Sequence, residues 1–150
     1  MLREAEALYR DVLVKNPTNA DALNNIGLIT VQSGHLEEAR DCFQRAIKVI
    51  PSQALFHLNL GNVLHDLQRN DDVRRAYRRC IELKPDLDEA YNNLATLLHK
   101  ENYLFEAAAL LKTALMRKPD FPEAVNSPGP FTKTWASWMK PWHAFAAKWR

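Results

Sequence analysis

Glycine is scarce in this chain, with four residues among 150 and none in a GxGxxG or GxxxxGK arrangement. The glycine-rich backbone cradles that hold nucleotide phosphates are therefore excluded. There are only two cysteines, Cys42 and Cys80, and neither belongs to a CxxC pair. That excludes a disulfide framework or a zinc ribbon and fits two small buried side chains in a reducing compartment. No apolar run approaches the ~18 residues of a membrane span, and the N-terminus lacks the apolar core of a secretory signal. A cytoplasmic location is expected. Proline and glycine together number 12, too few for a low-complexity disordered chain. The net charge is +2, so no global attraction draws the chain to nucleic acid. With no nucleophile motif and no metal-ligand spacing, neither an enzyme nor a bound cofactor, metal or small-molecule substrate is expected.

What is present is uneven. Residues 1–127 carry 16 Lys and Arg against 18 Asp and Glu, whereas 128–150 carry four cations, no acid and all four tryptophans. The composition changes at Ser127, and a boundary is expected there. Before it, Pro17, Pro51, Pro85 and Pro119 recur every 34 residues. Other positions keep the same step: Ile26, Leu60 and Leu94; Gly27, Gly61 and Ala95; Ala5, Ala39, Val73 and Ala107; Tyr9, Phe43, Tyr77 and Leu111; Val12, Ala46, Cys80 and Ala114.

Each unit reads as two helices. Leu23, Ile26, Gly27 and Thr30 fall at helical spacing before Ser33-Gly34; Leu36, Ala39, Phe43, Ala46 and Ile47 follow until Ile50-Pro51. A residue before proline is pushed out of the helical region, so each proline punctuates the chain. Gly34 and Asn102 suit a left-handed turn between helices, and Gln68 at the equivalent place suits it less. Gly27, Gly61 and Ala95 let the two helices approach closely. Tyr9, Phe43 and Tyr77 are expected to be large side chains filling the space between successive units. About seven or eight helices and no sheet are expected, with Tyr9, Phe43, Tyr77, Ala39, Ala46, Ala107 and Ala114 buried.

This period, with a small residue after Leu or Ile, an alanine, an aromatic four residues later, a second alanine and a terminal proline, resembles the tetratricopeptide repeat. The resemblance implies an all-α, right-handed α-α superhelix. It would contain a half repeat at 1–17, full repeats at 20–53, 54–87 and 88–121, and a truncated repeat at 122–127, with 128–150 as a Trp-rich basic tail. The family's bulky early aromatic is matched only by Tyr91, Leu23 and His57 standing in the other units; Thr30 and Val73 also depart from the pattern. The resemblance further implies a concave surface lined by the first helix of each unit, and a protein-interaction module.

The sixth residue of every full unit is asparagine: Asn25, Asn59 and Asn93. Asn24 and Asn92 sit beside two of them and Asn62 lies one turn on. An asparagine amide offers a donor and an acceptor, as a peptide unit does. A row of them can hold an extended backbone while ignoring its side chains. The row is similar to that in the repeat arm of O-linked N-acetylglucosamine transferases and of related bacterial repeat proteins, which implies a protein or peptide partner. The alternative is that these residues cap or bridge neighbouring helices. Two other functions stay open: a substrate-recognition fragment of a larger glycosyltransferase-like protein, or a membrane- or RNA-associated adaptor.

Asp21, Glu89, Asp66, His65, His99 and Lys100 are the candidate charged or titratable lining, which disfavours clamping of an acidic tail. Arg69, Arg74, Arg75, Arg78 and Arg79 are expected on the convex side, paired within their helix at i,i+4 (Asp71–Arg75 and Arg78–Glu82). In the tail, Trp135, Trp138, Trp142, Phe145 and Trp149 share one helical stripe, interrupted by Pro141. A capping helix, an anchor at a membrane surface, or a non-native continuation would each fit it.

Overall fold

The computed structural model describes residues 2–117, with side chains from Arg3 to Ala114. All regular structure among them is helical: α1 (Leu2–Lys15), α2 (Ala20–Gln32), α3 (Leu36–Val49), α4 (Ala54–Asp66), α5 (Asn70–Leu83), α6 (Asp88–Lys100) and α7 (Leu104–Arg117). The tail, the truncated unit and the boundary at 127 lie outside the described residues. The chain divides into two compact units, 1–111 and 112–150. The packing below is that of the first, and of the second the structure describes the end of α7, where Ala114 is buried.

The period read from the prolines is the period of the helices, since α2, α4 and α6 start at Ala20, Ala54 and Asp88. Asn19 caps α2 by accepting from the Ala22 N–H at 2.9 Å, which satisfies one of the orphan donors of the first turn. Each hairpin turns through a left-handed residue: Gly34 (φ 79°), Gln68 (φ 58°) and Asn102 (φ 67°). The following N–H then closes onto the helix that has ended, His35 to Thr30 at 2.9 Å, Arg69 to Leu64 at 2.9 Å and Tyr103 to Leu98 at 2.8 Å. Gln68 therefore takes the left-handed turn despite its side chain, at a steric cost of about 1–2 kcal/mol. Glycine relieves that cost and returns part of it through the freer unfolded chain. Gln68→Gly is expected to stabilise the protein by about 1 kcal/mol, read from the urea midpoint.

Neighbouring helices pack in chain order from α1 to α6, and α2 also touches α4. A side-chain Cβ at Gly27 would lie 2.6 Å from Phe43 Cε1, and one at Gly61 would lie 2.4 Å from Tyr77 Cε1. The two aromatic rings thus occupy the space vacated by the glycines of their own units. Phe43 also clusters with Ala39 and with Val63 and Leu60 of the next unit, and Tyr77 with Leu94, Leu97 and Leu98. Phe43 and Tyr77 thus fill the space between successive units, as expected, and in addition close onto the glycine within their own hairpin.

Ala39, Ala46, Ala107, Phe43 and Tyr77 are buried as expected. Tyr9 is not: it is half-buried, and Val12, in the repeat position of buried Ala46 and Cys80, is exposed. Among the described residues no first helix stands before α1 to receive them, so that face of α1 meets solvent.

Candidate partner-binding surface

The first helices α2, α4 and α6 lie in sequence along one face, and the asparagines stitch them together. Asn59 donates from Nδ2 to Asn24 Oδ1 at 2.8 Å, joining α4 to α2. Asn93 donates from Nδ2 to Asn62 Oδ1 at 3.0 Å, joining α6 to α4. Asn62 Oδ1 also accepts from the Tyr77 hydroxyl at 2.8 Å, and its Nδ2 reaches Glu89 Oε1 at 3.5 Å. The structure therefore brings Asn24, Asn59, Asn62 and Asn93 into interhelical pairs. Asn25 and Asn92 make no side-chain hydrogen bond among the described residues. All six are half-buried.

These bonds do not exhaust the amides. Each primary amide has two N–H donors and an oxygen with two lone pairs. Asn59 uses one donor, leaving an oxygen and a second N–H; Asn93 donates to Asn62 and also bonds the Tyr77 hydroxyl, leaving its oxygen. Beside them, Asn62, His65, Asp66, Tyr77, Asn93 and Thr96 line a recess of about 260 Å³. Asp21, His65, Asp66, Glu89, His99 and Lys100 are all exposed, as the sequence suggested.

Two residues on this surface escaped the sequence reading. Leu28 and Leu55 are both largely exposed. Leu28 holds the repeat position of Asn62, and Leu55 holds that of Glu89. The step between α4 and α6 that carries the Asn62–Glu89 contact is thus apolar between α2 and α4. The signal was available in the repeat alignment, as leucine where the other units place polar side chains.

On the second helices the arginines pair differently from expectation. Arg74 pairs with Asp71, Arg75 with Asp72, and Arg79 with Glu82, all at i,i+3. Arg78 leaves its helix for Glu106 on α7, and Arg74 also reaches Glu101 at 3.0 Å while lying over the Tyr103 ring. Arg75 turns to Asp72 one residue nearer in its own helix and Arg78 crosses to the next unit, so neither expected i,i+4 pair forms. His57 is fixed by Nε2 at 2.9 Å from Pro51 O. Among the described residues no group of three His, Cys, Asp or Glu could hold a metal ion, and no helix is long and apolar enough to cross a membrane.

Burial pushes the Tyr77 phenol up to about 12 and the Cys80 thiol up to about 11, from ordinary values of 10.0 and 9.0. Both groups are held neutral in the folded state, whereas the unfolded chain ionises them earlier. The stability they contribute is complete below about pH 9 and is lost as pH rises from about 9 to 12. Urea midpoints are therefore expected to fall across that window, and Tyr77→Phe should flatten its upper part.

Similarity to known proteins follows the same elements. Residues 27–68 match a family model described as TPR repeat, and residues 54–87 match one described as Tetratricopeptide repeat. Human Tetratricopeptide repeat protein 8 is 33% identical over 69 residues, 44% of this chain and 13% of that protein. The chain thus spans a small part of that relative's length. An O-GlcNAc transferase of Thermobaculum terrenum, solved as a mutant, superposes with a TM-score of 0.62 at 31% identity, over 65% of this chain and 19% of that one. YrrB, described as a TPR protein with an unusual peptide-binding site, superposes with a TM-score of 0.70 at 25% identity, over 83% of this chain and 64% of that one.

Proposed function

We propose, from the premise that this chain is a tetratricopeptide-repeat protein, that it holds an extended segment of a partner protein along the face formed by α2, α4 and α6. Tetratricopeptide repeats are a protein-interaction fold, and the finer reading is carried by one observation. The amide of Asn59 is anchored to the neighbouring helix by one hydrogen bond and keeps an oxygen and an N–H to spare, and that of Asn93, held by Asn62 and the Tyr77 hydroxyl, keeps its oxygen. Anchoring holds the amide planes in place, so a partner's backbone meets groups already oriented. Asn25, with its whole amide free among the described residues, extends the row towards the N-terminus. The peptide-binding site in YrrB's description supports the same class of ligand. In this reading residues 1–127 form the interaction module, 128–150 are appended to it, the protein works without a cofactor, and it acts in the cytoplasm.

The test is positional. A photo-crosslinking side chain at Thr96, beside the recess, should capture the partner that the full chain recovers from lysate, and the same group at Arg45 on α3 should not. Capture from Arg45 alone would place the partner on the opposite face. A second reading, a substrate-recognition arm of a larger glycosyltransferase, is favoured by the 31% identity to the O-GlcNAc transferase. It predicts the same face and differs in the partner, which would be a glycosylated protein.

A further inference from the structure

The second-helix face carries a ladder of its own. Arg10 on α1 reaches Glu38 on α3 at 3.2 Å, and Arg78 on α5 reaches Glu106 on α7. The two bridges are related by the repeat, since Arg10 and Arg78 share one repeat position and Glu38 and Glu106 share another. The rung between them is missing. Gln44 stands where the arginine should be, and Asp72, where the acid should be, turns to Arg75 in its own helix.

At that missing rung lies a cleft of about 430 Å³ between α3 and α5, lined by Gln44 and Asp72 themselves. The cleft is open along its outer side, as a groove that receives a chain segment is. Its floor is apolar: Ile47, Leu60, Leu64 and Ala76. Its rim carries four cations, Lys48, Arg69, Arg75 and Arg79, and the carboxylate of Asp72. Arg69, Arg75 and Arg79 are held by exposed pairs to Glu37, Asp72 and Glu82, which are weak enough to exchange for another carboxylate. Lys48 has no ion pair among the described residues.

We infer that this cleft is a second docking site, independent of the asparagine face, for an acidic protein segment that inserts an aliphatic side chain. Charge complementarity chooses the acid, and the apolar floor chooses the inserted side chain. Nucleic acid fits less well, because no exposed aromatic ring in the lining offers a stacking platform and Asp72 opposes phosphate.

The test uses the full chain and a fluorescent peptide of alternating glutamate and leucine, followed by anisotropy. Saturable binding is expected, together with weaker binding of an all-glutamate peptide and of a lysine–leucine peptide. Gln44→Glu, which sets a second carboxylate beside Asp72, should keep the melting temperature and weaken the peptide by at least about tenfold. Lys48→Glu with Arg79→Glu should weaken it at least as much. No saturation below about 1 mM, equal binding to folded Gln44→Glu, or tighter binding of a single-stranded RNA would each overturn the assignment. The last outcome would make the cations a nucleic-acid patch.

Discussion

Phe43→Ala is expected to lower the unfolding free energy by about 3–5 kcal/mol, because the ring is wholly buried and its neighbours cannot collapse to fill its place. The ring lies where a Cβ on Gly27 would sit, and it meets Val63 of the next unit. Its loss therefore opens a void that spans a hairpin and the junction to its successor. Domains of this size have a total stability of about 5–15 kcal/mol, so the variant should be close to unfolding at physiological temperature. The partnership with Gly27 gives a sharper form of the result. Gly27→Ala alone should destabilise the protein, because the methyl would meet the ring at 2.6 Å. In the Phe43→Ala background the same change should stabilise it by up to about 1 kcal/mol, since the clash is gone and alanine favours helix. Urea denaturation of the four proteins, at unchanged m-value, reads both effects. Additive losses would mean that the ring and the glycine are not partners.

The helices and their repeat were legible because prolines, glycines and small residues stand at fixed steps and each has a backbone or steric cause. Gly34 and Asn102 announced the left-handed turns; Gln68 adopts one without a favourable side chain because the helices on either side dictate it. The site was legible only in part. The period of Asn25, Asn59 and Asn93 marked the face, but their hydrogen bonds depend on how far one helix is displaced along the next. Asn59 meets Asn24, whereas Asn93 meets Asn62, a different repeat position. Sequence spacing carries no information about that offset. The failure at Tyr9 has the same origin, since burial of that ring requires a helix on its other side.

Those hydrogen bonds also set the outcome of removing the row. Replacing Asn25, Asn59 and Asn93 together by alanine deletes the Asn59–Asn24 and Asn93–Asn62 bonds, at about 0.5–1.5 kcal/mol each. It also gains helix propensity at three positions, a few tenths of a kcal/mol apiece. The net change in stability should stay within about 2 kcal/mol, and the protein should remain folded. Partner affinity should respond far more. Each amide of the row has at least one hydrogen-bonding group to offer a partner's peptide unit, so losing all three should weaken binding by about 100-fold or more, equivalent to roughly 2.7 kcal/mol. Arg78→Ala alters only the exposed pair with Glu106 on the other face, outside the cleft that Arg79 lines, and should leave this affinity nearly unchanged.

The most direct measurement is a calorimetric titration of the partner recovered by the full chain into wild-type protein, the triple asparagine variant and the Arg78→Ala arginine variant, with the helical spectrum of each recorded alongside. Helical spectra are expected in all three, with a loss of about 100-fold confined to the asparagine variant. A folded asparagine variant that binds as tightly as wild type, or a loss confined to the arginine variant, would contradict binding along the asparagine face.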